Sequence, residues 1–201
     1  MNALKICIFT ALIFYLSADN LVAQYAPSIR ESKTRLGFVY GYGSQENLGM
    51  NADYQYDVIY FQAQYFRQLA NWRNTGLELL LQPQYNSANF IYGDNDFRDI
   101  NGYEIGLNIG FLLRHYPANK MLSLYFLIST GPHYASILPY RQSSGFIFSD
   151  NLFVGLTIKL TDDSYLDIRP GIRHLSNAGF KYPNGGINNL IISAGLMVAL
   201  K

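Results

Sequence analysis

An all-β chain, closed as an eight-stranded antiparallel barrel that crosses a membrane, is the fold class this sequence predicts. Three observations lead there. The longest apolar run after the first twenty-odd residues is Leu190–Leu200, "LIISAGLMVAL". It is too short for a spanning helix but matches a membrane strand of about 9 to 11 residues. Next, residues alternate with period two. In "YEIGLNIGFLLRH", Tyr103, Ile105, Leu107, Ile109, Phe111 and Leu113 share one face, and Glu104, Gly106, Asn108, Gly110 and Arg114 the other. In "NLFVGLTIKL", Leu152, Val154, Leu156, Ile158 and Leu160 oppose Asn151, Gly155, Thr157 and Lys159. A helical period would scatter both sets. The face with charge and glycine points inward and the apolar face points to lipid. Finally, the connections alternate between long and short, as they do in barrels with long extracellular loops and short periplasmic turns.

The elements follow in order. Residues 1–23 hold Lys5, an apolar run from Ile6 to Leu16 and then "LVAQ", the layout of a secretory signal peptide cut after Ala23. The only cysteine, Cys7, lies in that segment. The remaining chain, 24–201, is read as the barrel and has no thiol for a disulfide, a nucleophile or a metal site. Eight strands are expected at 34–43, 55–68, 76–86, 101–115, 121–134, 151–160, 165–177 and 187–200. "SQENLGMNADY", "SANFIYGDNDFRD" and "ASILPYRQSSGFIFSD" are read as long loops, and "ANWRNT", "PANK" and "TDDS" as short turns. Both termini then lie on the periplasmic side. Tyr42, Tyr85 and Tyr103 fall near the outer rim of the lipid face, where an aromatic girdle belongs. Asp57 also has lipid-facing parity, close to that rim. The chain ends "VALK", without a terminal aromatic residue.

Composition narrows the function. Net charge is +1, with 14 % charged and 15 % aromatic residues, so nothing argues for a nucleic-acid partner. A soluble lipocalin-like barrel ranks lower than a membrane barrel, because its outer face should be polar. A pore ranks low too, since eight strands leave an interior that side chains fill.

Strand seven, "YLDIRPGIRHLSN", carries the candidate chemistry. Tyr165, Asp167, Arg169, Gly171, Arg173, Leu175 and Asn177 share the charged, inward face, where Asp167 is expected to lie between Arg169 and Arg173. Leu166, Ile168, Pro170, Ile172, His174 and Ser176 share the other. His174 and Ser176 are therefore neighbours on the lipid face near the outer leaflet. A histidine nitrogen that accepts a serine proton is the pairing that activates serine toward an ester carbonyl. His-x-Ser alone is a weak motif. His115 and His133 lack such a serine and are read as ordinary interfacial side chains.

The longer stretch is more specific. "HLSNAGFKYPNGG", residues 174–186, resembles the motif of the outer-membrane lipid A 3-O-deacylases of the PagL type, and the "FSDNLFVGL" stretch before and into strand six is similar as well. The resemblance implies an eight-stranded barrel in the bacterial outer membrane whose partner is lipid A, the membrane anchor of lipopolysaccharide in the outer leaflet. It implies Ser176 as nucleophile and His174 as general base. Asn177, Gly179 and Asn184 match positions around the catalytic motif, with Gly179 and Asn184 the candidates for oxyanion donors. The same residues also suit a tight loop. No metal or cofactor belongs to this chemistry. The family's third member is a glutamate at the start of the last strand; here Asn188 stands there, on the parity of Leu190 and Ile192. An amide can orient an imidazole but cannot neutralise an imidazolium. The rival function is a non-catalytic barrel with a structural or lipid-binding role.

Overall fold

The computed structural model describes residues 33–45, 54–92, 99–118 and 121–200. The expected signal peptide, 1–23, lies outside the described residues. Eight strands follow one another: β1 (Thr34–Gln45), β2 (Tyr54–Trp72), β3 (Thr75–Tyr92), β4 (Asp99–His115), β5 (Leu122–Ala135), β6 (Gly145–Lys159), β7 (Ser164–Ser176) and β8 (Ile187–Leu200). Each pairs antiparallel with its neighbours, and β1 also pairs with β8 from Thr34↔Leu200 to Gln45↔Asn189, so the sheet closes on itself. Closure leaves no unpaired edge, which is what a sheet in lipid requires.

The expected strands are all present, and β3 and β6 depart most from their expected bounds. β3 runs on through "SANFIY" to Tyr92, and β6 begins at Gly145 and takes in "GFIFSD". Both stretches were expected to be loop. Their alternation persists beneath the polar composition: Ala88 and Phe90 point in, as do Ile147 and Ser149, while Phe146 and Asp150 point out. The β2–β3 connection shrinks to Arg73–Asn74, because Trp72 already pairs with Thr75.

The two faces separate as the pattern requires. Phe38, Ile105, Ile109, Phe111, Ile128, Val154, Ile192 and Leu196 are exposed around the outside, an apolar belt of the kind that faces lipid. The interior is filled and polar. Glu78 lies between Arg35 and Arg114, with Arg114 Nε donating to Oε1 at 3.0 Å. Glu104 takes Arg173 at 2.7 Å and hydrogen bonds from Tyr56 and Asn86.

Two interior expectations are corrected. Asp167 does not bridge the arginines on its own strand. It accepts from the Tyr125 hydroxyl at 2.7 Å and from Thr157 at 3.0 Å. Arg173 instead pairs with Glu104, and Arg169 reaches Gln62 at 2.9 Å and lies over the Phe153 ring. Residues two apart on a strand are separated by nearly 7 Å along it, so side chains from other strands are nearer partners. His133 is not interfacial. It is 2 % exposed, inside the barrel, with Nε2 lying 2.7 Å from Gln84 Nε2 and 2.9 Å from Asn108 Oδ1, so that it accepts from the first or donates to the second according to the tautomer. Gly106 makes the room, since a Cβ there would stand 2.1 Å from the imidazole. His115 is exposed at the end of β4, as expected.

Candidate active site

The end of the barrel opposite the Thr34–Leu200 pair carries the 136–144 and 177–186 connections, and His174 lies just beneath them. Its placement comes from strand parity. β7 buries Arg173 and Leu175 inside and turns His174 and Ser176 out, each half-buried. β8 enters from the other side of the hairpin with Asn188 directly opposite His174. The imidazole Nδ1 and the Asn188 Oδ1 are 2.7 Å apart. An amide oxygen only accepts, so in this contact Nδ1 carries a proton, and in the neutral ring Nε2 is then the nitrogen with the free lone pair. That is the tautomer a general base needs when its working nitrogen is Nε2.

Ser176 is two residues along the same face. It makes no hydrogen bond to the imidazole within 3.5 Å among the described residues. Contacts between a base and its nucleophile are often long without substrate and tighten in the Michaelis complex.

The loop above is built by three of the motif's residues. Asn177, 1 % exposed, donates through Nδ2 to Ser143 Oγ and to the Lys181 carbonyl, both at 2.6 Å. Its backbone N–H donates to Asn184 Oδ1 at 2.9 Å, and its own Oδ1 accepts from the Gly179 N–H at 3.0 Å. Asn177 is thus a loop-organising residue that faces inward. The Gly179 N–H, a candidate oxyanion donor, is occupied by this turn. Asn184 presents its oxygen to the Asn177 N–H, which leaves the Nδ2 end as the donor it has to offer. Ala178 and Gly179 both have positive φ, 53° and 79°. Glycine adopts this region freely and alanine at a cost of roughly 1 to 2 kcal/mol, so the chain is forced into a tight reversal directly after Ser176.

Residues that the motif did not single out complete the setting. Gly186 has φ 70° and packs on the imidazole; a Cβ there would stand 2.6 Å from His174 Cε1. Its N–H donates to Gln142 Oε1 at 3.0 Å. Gln142 and Ser143 belong to the 136–144 connection, which docks on the 177–186 loop through Ser143 N–H to the Pro183 carbonyl at 2.9 Å and Gly185 N–H to the Arg141 carbonyl at 2.7 Å. The paired glycines after Asn184 were the available sequence signal for a close approach of backbone to ring. Nothing in the local sequence marks Gln142, whose part depends on two loops meeting.

The profile of the lipid A 3-O-deacylase (PagL) family matches residues 53–197. In structure the chain is similar to the crystal structure of the outer membrane enzyme PagL, with TM-score 0.54 and 14 % identity over 79 % of this chain and 97 % of that one. It is also similar to Neisserial surface protein A (NspA), with TM-score 0.48 and 14 % identity over 84 % of this chain and 98 % of that one. At such identity the likeness of the PagL structure is one of fold. No curated protein matches the chain.

Proposed function

The chain belongs to the lipid A 3-O-deacylase family, and from that premise we propose that it is an outer-membrane ester hydrolase that removes the 3-O-linked acyl chain from lipid A by a Ser176/His174 mechanism. The observation that carries the reading is the 2.7 Å contact between His174 Nδ1 and Asn188 Oδ1. It supports a ring with Nε2 unprotonated, on the lipid face, beside a serine at i+2. A lipid substrate in the outer leaflet would approach that face without leaving the membrane.

The steps follow. Ser176 Oγ attacks the ester carbonyl carbon while its proton passes to His174 Nε2. The tetrahedral intermediate holds a negative oxygen, for which the Asn184 Nδ2 group and the Gly179 N–H are the candidate motif donors; the latter would have to exchange its bond to Asn177. Collapse breaks the ester bond, and His174 returns the proton to the departing sugar hydroxyl. Water then attacks the acyl-serine, giving its proton to Nε2. The fatty acid leaves, and Ser176 regains a proton.

A second reading, a barrel that binds lipid without cleaving it, rests on Asn188, where an amide replaces an acid. Mass spectrometry of lipid A incubated with the purified protein separates the two. Loss of one hydroxyacyl mass from the 3-position is the expected result. Unchanged lipid A at high protein concentration would leave only the binding reading.

A further inference from the structure

One row of directly opposed residues on the lipid face is polar across four neighbouring strands. Thr130 on β5 pairs with Asp150 on β6, Asp150 with His174 on β7, and His174 with Asn188 on β8. Hydrogen bonds join both ends of the row: Thr130 Oγ1 donates to Asp150 Oδ1 at 2.5 Å, and His174 Nδ1 to Asn188 Oδ1 at 2.7 Å. The surrounding face is apolar, with Phe146, Leu152, Ile172 and Leu190 exposed on it. An exposed carboxylate in this belt is costly near lipid, and an ionisable group kept there calls for a partner. The register names one. Directly opposed residues have Cβ atoms roughly 4.5 to 5.5 Å apart.

We infer that Asp150 is the positioning residue that supplies His174 with the negative charge Asn188 lacks, from the opposite flank. The inference rests on the Ser176/His174 reading above. The Asp150 carboxylate makes no ion pair with the imidazole within 4 Å; it is held toward Thr130 and acts through its field. When Ser176 gives its proton to Nε2, the ring becomes a cation, the Nδ1–H stays on Asn188, and Asp150 remains ionised. No proton reaches the carboxylate. Two tasks that one acid performs in a triad are divided between strands: Asn188 sets the tautomer and Asp150 balances the charge. No other charged group faces the ring from the strands beside it among the described residues. β6 turns out Phe148, Asp150 and Leu152 near it, β8 turns out Asn188 and Leu190, and β7 itself Ile172 and Ser176, while Arg173 and Glu104 point inward. Gly186 covers the ring edge from above.

The test uses the full chain refolded in detergent micelles, with two readouts: release of fatty acid from lipid A, and the titration of the His174 ring by NMR. Asp150→Asn should fold, since an amide is cheaper than a carboxylate on a lipid face; a shift in gel mobility on heating checks this, and Asp150→Ser serves if the amide variant does not fold. An anion beside an imidazole favours its cation, so the NMR titration of the ring and the acid limb of kcat/KM should both move to lower pH in this variant, and kcat should fall about tenfold with KM unchanged. The decisive variant is Asp150→Asn/Asn188→Glu, which moves the charge from one flank to the other. It should restore kcat to within roughly threefold of the original and return the ring titration and the pH profile toward those of the parent. A structural role for Asp150 would not be rescued from β8. Unchanged kcat and unchanged His174 titration in Asp150→Asn overturn the inference, as does lost activity with no movement of the titration. If the unsubstituted protein releases no fatty acid, or if Ser176→Ala still does, it is the hydrolase reading that falls. The NMR titration then still decides whether Asp150 acts on His174.

Discussion

At His174 the chemistry depends on which ring nitrogen holds the proton, and a neighbour on another strand decides it. Asn188 accepts from Nδ1, which leaves Nε2 as the nitrogen that would act as base in the proposed hydrolysis. Two predictions belong to this scale. Ser176→Ala and His174→Ala should each lower deacylation by about 10³-fold or more, and the double variant should be little worse than either, because the two act as one unit. Both side chains lie on the outer face and fill no core, so melting of the variants should match the parent. Full activity in Ser176→Ala would sink the mechanism. Asn188→Ala removes the acceptor and frees the ring to take the other tautomer. In a serine triad, a wrong tautomer costs about 10⁴ in turnover, so ester hydrolysis by Asn188→Ala should drop steeply. Asn188→Glu keeps the acceptor and adds charge, so its rate should hold or rise. If Asn188→Ala retains the full rate, residue 188 is only a polar hairpin position.

The β7–β8 hairpin is the element that makes a site of these residues. Its register brings Asn188 to His174, and its connection brings Gly186 onto the ring. Gly186→Ala puts a methyl group 2.6 Å from Cε1 and forces φ 70° on a residue with a side chain. The ring must turn away, so kcat should fall about tenfold or more while the barrel itself stays folded. A full rate would show that the ring has another place to go. Much of this hairpin was legible in the sequence. β8 spans the expected 187–200, because an apolar run and a Gly-Gly turn mark its limits without ambiguity. The start of β6 was not legible, because Gly, Ser and Asp in "SSGFIFSD" resemble loop composition and hide an alternation carried by Phe146, Ile147 and Phe148 alone. That is why Asp150 reads as a loop residue until the pairing with His174 is seen. His133 had a usable signal, the inward parity of Ser129 and Gly131. The bracing of the 177–186 loop by Gln142 and Ser143 had none, because it arises where two connections distant in sequence meet.

For the whole barrel, the argument for a membrane turns on the outer face, and depth along that face can be tested. Ile105, Leu107, Ile109, Phe111 and Leu113 form one unbroken apolar line on β4, all 42 % exposed or more. In water such a surface would drive association. In lipid it is the solvated state, and the polar groups of Glu78, Glu104, Arg114 and Arg173 are satisfied by one another inside. Ile109 is the midpoint of the line, whereas Tyr42 stands near the β1 end beside the loops, where the ring stack of Tyr85 and Tyr103 also lies. An arginine at mid-depth of a membrane barrel costs about 2 to 4 kcal/mol, and one near the interface about 0 to 1 kcal/mol. Ile109→Arg should therefore destabilise the folded barrel in lipid vesicles far more than Tyr42→Arg, measured by reversible unfolding in denaturant. A soluble barrel predicts the opposite, since charge on an exposed apolar face would help or do nothing. Equal effects at the two positions would remove the bilayer from this face, and with it the reason for His174 and Ser176 to point outward. A gradient with depth would place them near the outer leaflet, within reach of a lipid ester that never leaves the membrane.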